Sequence, residues 1–259
     1  MTAAGCVCPH PPLLVPEIGR GHREPVRRTI TAMETLAAAA GEPETIVVIS
    51  PHTDGSASRF FVKRAQTLWG DFSAFNCPQV TIEMENDGEL VDCLLAAAAG
   101  DPEVTLVPTD DDYLDHGVLV PLGFLHGRRL VSLSIVADYR VHGALGRLVR
   151  RCAEELGRDV LFLASGDLSH RLTRDAPAGY DPKGALFDAE VTTRLGEGRL
   201  DELGGIDPGL VRAAGECGLR SLFALDGFLG DEAASKPKLL SYEGPFGVGY
   251  AVASYGLDV

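Results

Sequence analysis

Short apolar runs alternate with segments of helical period along almost the whole chain, and this alternation restricts the fold more than any other feature. The apolar runs predict strands at residues 5–8, 45–50, 80–84, 104–108, 130–136, 160–165, 239–242 and 248–254. The periodic segments predict helices at residues 24–40, 89–99, 141–156, 185–195, 208–214 and 219–228. Strands that alternate with helices are typical of an α/β domain. We therefore predict an α/β fold: a single domain over residues 1–259, with a largely parallel or mixed central sheet flanked by helices.

The net charge of the chain is −14, from 23 basic and 37 acidic residues, and it argues against a polyanionic partner. An acidic surface repels a phosphate backbone, so we expect no nucleic-acid binding. No apolar run approaches the ~20 residues that span a bilayer. The first eight residues also lack the basic and apolar regions of a secretory signal. We therefore expect a soluble cytoplasmic protein with no membrane partner.

Several familiar chemistries are excluded by motifs that the sequence lacks. None of the six cysteines forms a C-x-x-C pair, which argues against a structural zinc site of that type and favours reduced, mostly buried thiols. There is no phosphate loop of the G-x-x-x-x-G-K-[ST] type and no G-x-S-x-G nucleophile elbow. No G-x-G-x-x-G follows the first predicted strand, so we expect no dinucleotide cofactor.

Four of the seven histidines lie next to the ends of predicted elements. His10, His52 and His170 each follow a predicted strand, among proline, glycine and serine residues that turn the chain. His116 comes just before an apolar helical stretch. Loops that leave the carboxyl ends of parallel strands share one edge of the sheet, where ligands bind. If the three strands are parallel, these histidines converge on one cleft.

The other three histidines, His22, His126 and His142, lie in arginine-rich or helix-start contexts with no partner pattern. A lone histidine of this kind is usually a solvated polar residue or a cap, so we assign these three no role in the site.

The histidines that converge allow two kinds of chemistry. Imidazole binds iron, zinc, copper and nickel, and two histidines with one carboxylate leave the open positions typical of non-haem Fe(II) oxygenases. Histidine also exchanges protons near neutral pH. The set therefore divides into two ligands and two acid–base groups, and the residues alone do not say which is which.

Six short motifs stand in order along almost the full length of the chain. They are HPP at 10–12, SPH at 50–52, DHGVLVPL at 115–122, SGDLSH at 165–170, GECGLRS at 215–221 and YEGPFGVGY at 242–250. Each is weak alone, but their order and spacing resemble the catalytic, LigB-type subunit of class III extradiol ring-cleavage dioxygenases and the related Memo-type proteins.

This resemblance implies a role for each side chain that matches the family's motifs. His10 and His52 match the metal ligands, and His170 matches the catalytic base. His116 matches the second acid–base or substrate-orienting histidine. Asp115 would then orient an imidazole, as carboxylates commonly do beside metal sites.

The resemblance leaves the third metal ligand open. Dioxygenases of this kind use a glutamate at the start of a late helix, and Glu216 lies where that helix should begin. Memo-type proteins use a cysteine at the comparable position, and Cys217 is the next residue. Glu243, beside the final strand, is a further candidate. We favour Glu216, because a hard carboxylate suits Fe(II), whereas a site completed by Cys217 would favour the Memo-like interpretation.

The resemblance implies a non-haem Fe(II)-dependent extradiol dioxygenase that cleaves a catechol-type ring with O2, with another divalent metal such as zinc as the alternative. A small aromatic compound and O2 are then the substrates, and a homo-oligomer or a separate partner domain is expected on family grounds. The last predicted strand comes soon before Val259, so we expect no fused second domain.

Two alternatives to the dioxygenase stay open. One is a Memo-like metal-binding protein without ring-cleavage activity. The other is a metal-dependent hydrolase, with zinc held by two histidines and a carboxylate and with the acidic run at residues 110–112 extending the site. For that run we favour a solvated acidic loop before a helix.

Overall fold

A computed structural model describes residues 3–53, 55–231 and 236–259 of the chain. The strands are β1 (Ala4–Cys8), β2 (Thr45–Ile49), β3 (Phe60–Lys63), β4 (Thr67–Phe72), β5 (Cys77–Asn86), β6 (Leu106–Thr109), β7 (Arg129–Leu133), β8 (Val160–Ser165), β9 (Lys238–Glu243) and β10 (Tyr250–Tyr255). The helices are α1 (Pro16–Gly19), α2 (Arg27–Ala40), α3 (Gly88–Ala98), α4 (His116–Leu122), α5 (Val141–Leu156), α6 (Pro182–Glu197), α7 (Pro208–Ala214) and α8 (Leu219–Leu229). Within these described ranges, no helix has both the length and the apolar character that crossing a bilayer requires.

The strands form one mixed sheet in the order β4-β5-β7-β2-β8-β1-β10-β9, with β3 beside β7 and β6 beside β3. The centre of the sheet is parallel, because β2 pairs in parallel with both β7 and β8, and β8 pairs in parallel with β1. Antiparallel pairs complete both edges, β4 with β5 on one side and β10 with β1 and β9 on the other. The prediction of an α/β domain with a parallel or mixed central sheet is confirmed.

The central strands are apolar throughout because the sheet is covered on both faces. In β2, Val47 and Ile49 belong to a core that includes side chains of α3, α5 and α8, whereas Ile46 and Val48 belong to a second core with side chains of α2 and α4. Strand β8 divides its side chains between the two cores in the same way. Strands buried on both faces lose the alternation of polar and apolar residues.

Two strands, β3 and β4, were not predicted from the sequence, and β5 is longer than its apolar run indicates. In β4, buried and exposed residues alternate, with Trp69 exposed and Leu68 buried. This strand lies at the edge of the sheet, where one face meets water. A glycine and polar residues interrupt this strand, so it has no continuous apolar run of the kind that predicts the central strands.

Three adjacent parallel strands place the predicted site. Strands β2, β8 and β1 are neighbours in the sheet and run in the same direction. Their carboxyl ends therefore lie side by side, and the segments that follow them carry His52, His170 and His10. The expectation that these three histidines share one edge of the sheet is confirmed.

Candidate metal centre

Three side chains from separate loops meet at the carboxyl edge of the sheet: His10, His52 and Cys217. Their donor atoms all lie within 4.8 Å of one another, and in the described part of the chain this is the one such group of histidine, cysteine or acidic side chains. The two Nε2 atoms of the histidines are 3.1 Å apart, and Sγ of Cys217 lies 3.8 Å from Nε2 of His10. Two imidazole nitrogens and one sulfur are a donor set that binds iron, copper or zinc.

The hydrogen bonds of His10 leave its Nε2 atom available to a metal. Ser165 Oγ donates its single proton to the carbonyl of Gly117, at 2.5 Å, so it accepts from Nδ1–H of His10, at 2.9 Å. The lone pair of the neutral ring is therefore on Nε2, which faces His52. Burial lowers the pKa of His10 well below its ordinary value, and the charges of the neighbouring histidines lower it further. A neutral imidazole held from its far nitrogen is the form that binds metals.

Asp115 ties the loop after β2 to the start of α4. Its Oδ1 accepts hydrogen bonds from Ser50 Oγ at 2.8 Å and from the backbone N–H of Gly117 at 2.7 Å, and its Oδ2 accepts from Thr53 Oγ1 at 2.6 Å. The resemblance implies that Asp115 orients an imidazole. These bonds instead hold the backbone on either side of His52, so Asp115 acts on that ring through the loop and through its charge.

His116 is the first residue of α4, and it stands against His52. The centroids of the two rings are 4.2 Å apart. Desolvation lowers the pKa of His116, the charge of His52 lowers it further, and the charge of Asp115 opposes both. The two loops approach closely because residue 117 is glycine: a Cβ there would lie 2.4 Å from Ser50 Oγ.

His170 comes from the loop after β8. Its Nδ1 lies 3.1 Å from the carbonyl oxygen of Leu168, which can only accept, so the neutral ring carries its lone pair on Nε2. Desolvation lowers the pKa of His170, while the carbonyls of Leu168 and Gly215 oppose that effect. The charge of His52 also lowers this pKa, which places His170 in the same cluster of imidazoles.

A fully buried carboxylate anchors the segment that carries His170. Asp188 of α6 accepts from the backbone N–H of Ser169 at 2.8 Å and from the hydroxyl of Tyr242 at 2.6 Å. Burial raises the pKa of Asp188 to about 6, and the two hydrogen bonds oppose that rise. A buried carboxylate is stable only when it is well hydrogen-bonded, so these bonds fix the residue next to His170.

The two glutamates considered as third ligands point elsewhere. Glu216 accepts from the Tyr139 hydroxyl at 2.9 Å and, through its other oxygen, from the backbone N–H of Leu219 at 2.6 Å, at the start of α8. Glu243 accepts from the backbone N–H and the hydroxyl of Thr29, at 2.8 and 2.6 Å, near the start of α2. The preference for Glu216 is therefore revised: its carboxylate is engaged at a helix terminus, and Cys217 is the residue that lies beside the histidines.

The backbone of the SGDLSH segment holds Cys217 in place. The backbone N–H groups of Cys217 and Gly218 donate to the carbonyl of Asp167, at 3.3 and 2.9 Å, and the N–H of Asp167 lies 3.3 Å from Sγ of Cys217. The two segments cross at glycines, because a Cβ on Gly166 would lie 2.2 Å from the Cα of Gly218. Burial raises the pKa of the Cys217 thiol well above its ordinary value. Binding a metal would replace the thiol proton.

The predicted site residues do not include Ser165, Asp167 or Asp188. Ser165 and Asp167 stand within the SGDLSH motif, and their position at the end of a fully apolar strand is a signal that their polar groups are buried. Asp167 is nearly fully buried and accepts from the backbone N–H of His10 at 3.1 Å, and burial raises its pKa to about 7. Asp188 lies on the buried face of α6, next to Phe187 and at helical spacing from Val191 and Leu195. An acidic residue on this apolar stripe is the signal that could have found it.

The three histidines left out of the site do not belong to the group of donor atoms. His22 and His126 are exposed, as expected of solvated residues. His142 is fully buried at the start of α5: its Nδ1 donates to the carbonyl of Tyr139, at 3.1 Å, and its Nε2 accepts from the backbone N–H of Val136, at 3.3 Å. Burial lowers the pKa of His142 to about 4. His142 is thus a structural histidine rather than a solvated one.

The acidic run at residues 110–112 does not extend the group of donor atoms. The Asp110 side chain faces solvent, and Asp111 forms an ion pair with the buried Lys63. The preferred interpretation, an acidic loop before a helix, agrees with this arrangement.

Fold and site together define an α/β protein that brings two histidines and a cysteine together at the carboxyl edge of its sheet, beside two further histidines. The family model described as the catalytic LigB subunit of aromatic ring-opening dioxygenase matches residues 4–253. The chain belongs to this family.

Two further similarities agree with this result. Protein CA_C1420 of Clostridium acetobutylicum is 36% identical to this chain, over an aligned region that covers 94% of this chain and 55% of that protein. The chain thus spans about half the length of the curated relative that it matches. The crystal structure of an uncharacterised Escherichia coli K12 protein, JW3007, superposes with a TM-score of 0.65 at 18% identity and covers 98% of this chain and 100% of that one. This structural similarity shows a shared fold.

Proposed function

We propose that the chain is a non-haem Fe(II)-dependent extradiol dioxygenase, which opens the ring of a catechol-type diol with O2. One observation carries the proposal: two further imidazoles stand beside the three-donor group. The ring centroid of His116 lies 4.2 Å from that of His52 and 5.5 Å from that of His10, and His170 follows the neighbouring strand β8. A site that only holds a metal needs no imidazoles beyond its ligands, whereas a reaction that moves protons needs them. Membership of a ring-opening dioxygenase family supports the same conclusion.

In this proposal His10, His52 and Cys217 hold the metal. The donor set fits, because Nε2 of His10 carries a lone pair and faces both other donors. A metal that binds four or more ligands would keep open coordination positions for substrates when the protein supplies only three. Bound Fe(II) supplies the one-electron chemistry with O2 that side chains lack.

His170 is the proposed general base. Its Nδ1–H is held by the carbonyl of Leu168, which leaves the lone pair on Nε2. Desolvation lowers its pKa, so the ring is neutral near pH 7 and can accept a hydroxyl proton from the diol. Removing that proton makes the aromatic ring more electron-rich and more reactive toward O2.

His116 is the proposed second proton carrier. Its lowered pKa keeps the ring neutral near pH 7, and its position against His52 places it beside the donor group. A neutral imidazole both donates and accepts hydrogen bonds, so His116 can orient a substrate hydroxyl and return a proton as the ring opens.

The direct test is turnover. Protein loaded with Fe(II) under anaerobic conditions and mixed with a panel of catechols should consume one O2 per catechol when air is admitted, and should give a yellow ring-opened product. His126→Ala, which changes an exposed histidine away from the cluster, is the matched control and should behave like the wild type. Absence of O2 uptake with every catechol would contradict the proposal.

Cys217 favours a second candidate, a Memo-like metal-binding protein without ring-cleavage activity. A thiolate is a softer ligand than a carboxylate, and it shifts metal preference toward copper and zinc. Metal analysis combined with the O2-uptake assay separates the two candidates. Stoichiometric metal without O2 consumption would favour the binding protein, whereas O2 consumption that requires the metal would favour the dioxygenase.

A further inference from the structure

One aromatic side chain reaches the histidine cluster from the edge of the sheet. Phe75 lies in the short 3-10 turn Ser73–Phe75 between β4 and β5. The centroid of its ring is 5.3 Å from that of His116, and the two planes are inclined by 68°. Among the described residues, no other phenylalanine, tyrosine or tryptophan ring contacts His10, His52, His116 or His170.

The turn holds this ring in a defined place. The backbone N–H of Ser73 donates to Oδ1 of Asp71 at 2.9 Å, and the N–H of Asn76 donates to the carbonyl of Ser73 at 3.0 Å. Asn76 has a φ of 59°, in the left-handed region that asparagine tolerates better than most residues. Beneath the turn, the buried ring of Phe72 lies 6.4 Å from that of Phe75. The backbone of the turn is therefore held by hydrogen bonds on both sides of Phe75, and the Phe75 ring packs on Phe72.

The exposure of the side chains shows from which side the cluster is reached. His10 is buried, His52 is exposed, and His116 and His170 are partly exposed. The ring of Phe75 is also partly exposed. A molecule that approaches the open side of the cluster near His116 therefore meets the imidazoles of His116 and His170 and the ring of Phe75.

We propose that Phe75 forms the apolar wall of the substrate subsite and packs against the ring of an aromatic diol. The inference rests on the proposed function and names the residue that selects its substrate class. Aromatic rings at 4.5–7 Å attract each other beyond the effect of area burial alone. A ring opposite Phe75 would also leave its hydroxyl groups free to face the histidines.

The proposal predicts a loss of ligand affinity that does not involve the metal. The probe is 4-nitrocatechol, titrated into Zn(II)-loaded protein and followed by its visible absorption. Phe75→Ala should weaken binding about tenfold, and Phe75→Leu, which keeps an apolar side chain but no ring, should weaken it about threefold. Metal content should stay at the wild-type value in both variants.

Trp69→Ala provides a matched control in the same hairpin. Trp69 is a large aromatic residue of β4, 40% exposed, and its ring packs against Tyr113 rather than against a histidine. This variant should bind 4-nitrocatechol like the wild type. Unchanged binding in Phe75→Ala, equal weakening in Trp69→Ala, loss of metal in Phe75→Ala, or failure of the wild type to bind the probe would each overturn the inference.

Substrate size gives a second measurement. Removing the wall should raise the affinity for 4-tert-butylcatechol relative to catechol, because Phe75→Ala opens space beside the ring. The outcomes distinguish the two proposals. A protein that binds 4-nitrocatechol through Phe75 but never consumes O2 supports the subsite and contradicts the dioxygenase, whereas turnover that is indifferent to Phe75→Ala contradicts the subsite alone.

Discussion

His142 and His10 are both buried histidines, yet the regions around them use the imidazole ring in opposite ways. At the start of α5, both nitrogens of His142 are engaged by backbone groups, one as donor and one as acceptor. In the group of donor atoms, Nδ1 of His10 is held by Ser165 Oγ. Its Nε2 instead faces Nε2 of His52, Sγ of Cys217 and, at 3.8 Å, a carboxylate oxygen of Asp167.

The comparison teaches that burial and a shifted pKa do not by themselves identify a functional histidine. Burial is the largest cause of the lowered pKa in both residues. The two residues differ at Nε2. In His142 this atom accepts from a backbone N–H, whereas in His10 it faces the donor atoms of His52 and Cys217. In His10 this nitrogen lies 3.1 Å from Nε2 of His52 and 3.8 Å from Sγ of Cys217, so one metal ion could bind all three atoms.

The largest expected effect is on turnover. His170→Ala removes the proposed base, and kcat should fall about 10²–10⁴-fold, the usual contribution of a general base. Because His170 is not one of the three donors, the iron content should not change. Iron analysis and O2 uptake on the same sample check this prediction. Loss of iron would instead place His170 among the ligands.

The next effect contrasts the two buried histidines directly. His10→Ala should weaken Zn(II) binding more than about 100-fold, since loss of a ligand exceeds the 10–100-fold cost of losing a supporting partner. His142→Ala should bind Zn(II) normally but unfold more easily, by about 2–5 kcal/mol, because it leaves a cavity and an unpaired Val136 N–H.

Competition with a chelating dye and urea denaturation measure these two quantities. A metal defect in His142→Ala, or none in His10→Ala, would break the distinction between the two regions.

The pH dependence of stability tests the core histidine. The pKa of His142 is about 4 in the folded protein, against about 6.5 for an unperturbed histidine. Above pH 6.5 both states are neutral. As the pH falls from 6.5 to 4, only the unfolded state takes up the proton, so the free energy of unfolding falls by about 3 kcal/mol.

A variant without this titration isolates the effect. In metal-free protein, His142→Asn should lose about 3 kcal/mol less stability than the wild type between pH 7.5 and pH 4, as measured by urea denaturation at each pH. If the free energy of unfolding depended on pH in the same way in both proteins, the pKa of His142 would not be lowered in the folded state.

The smallest expected effect concerns the hydroxyl behind His10. Ser165→Ala removes the acceptor of Nδ1–H, so the ring is no longer held with Nε2 toward the donors. Zn(II) affinity should fall about tenfold. Ser254→Ala, which changes a buried serine of β10, is the control and should leave the affinity unchanged. Equal affinities in wild type and Ser165→Ala would mean that Ser165 does not orient the ring.

The sequence was sufficient for the parts of the fold and site that depend on long, regular patterns. The apolar runs predict the strands β1, β2 and β8, and the residues just after them predict His10, His52 and His170 as neighbours if the strands are parallel. Once those strands are parallel neighbours, their carboxyl ends have to share an edge.

The third ligand and the aromatic contact to His116 depend on the orientation of single side chains. Glu216 and Cys217 are adjacent, and only the bonds of Glu216 to Tyr139 and Leu219 show that the thiol, not the carboxylate, faces His10. Phe75 follows an edge strand whose apolar residues are interrupted by a glycine and an aspartate, so no continuous apolar run marks that strand. Residue spacing therefore predicts neither the thiol ligand nor the position of Phe75.

The central claim is that His10, His52 and Cys217 hold the metal, and X-ray absorption at the zinc edge of Zn(II)-loaded protein tests it most directly. The account predicts one sulfur at about 2.3 Å and two imidazole nitrogens at about 2.0–2.1 Å, and loss of the sulfur in Cys217→Ser. A wild-type site with only nitrogen and oxygen neighbours, which loses an oxygen in Glu216→Ala and is unchanged in Cys217→Ser, would contradict it.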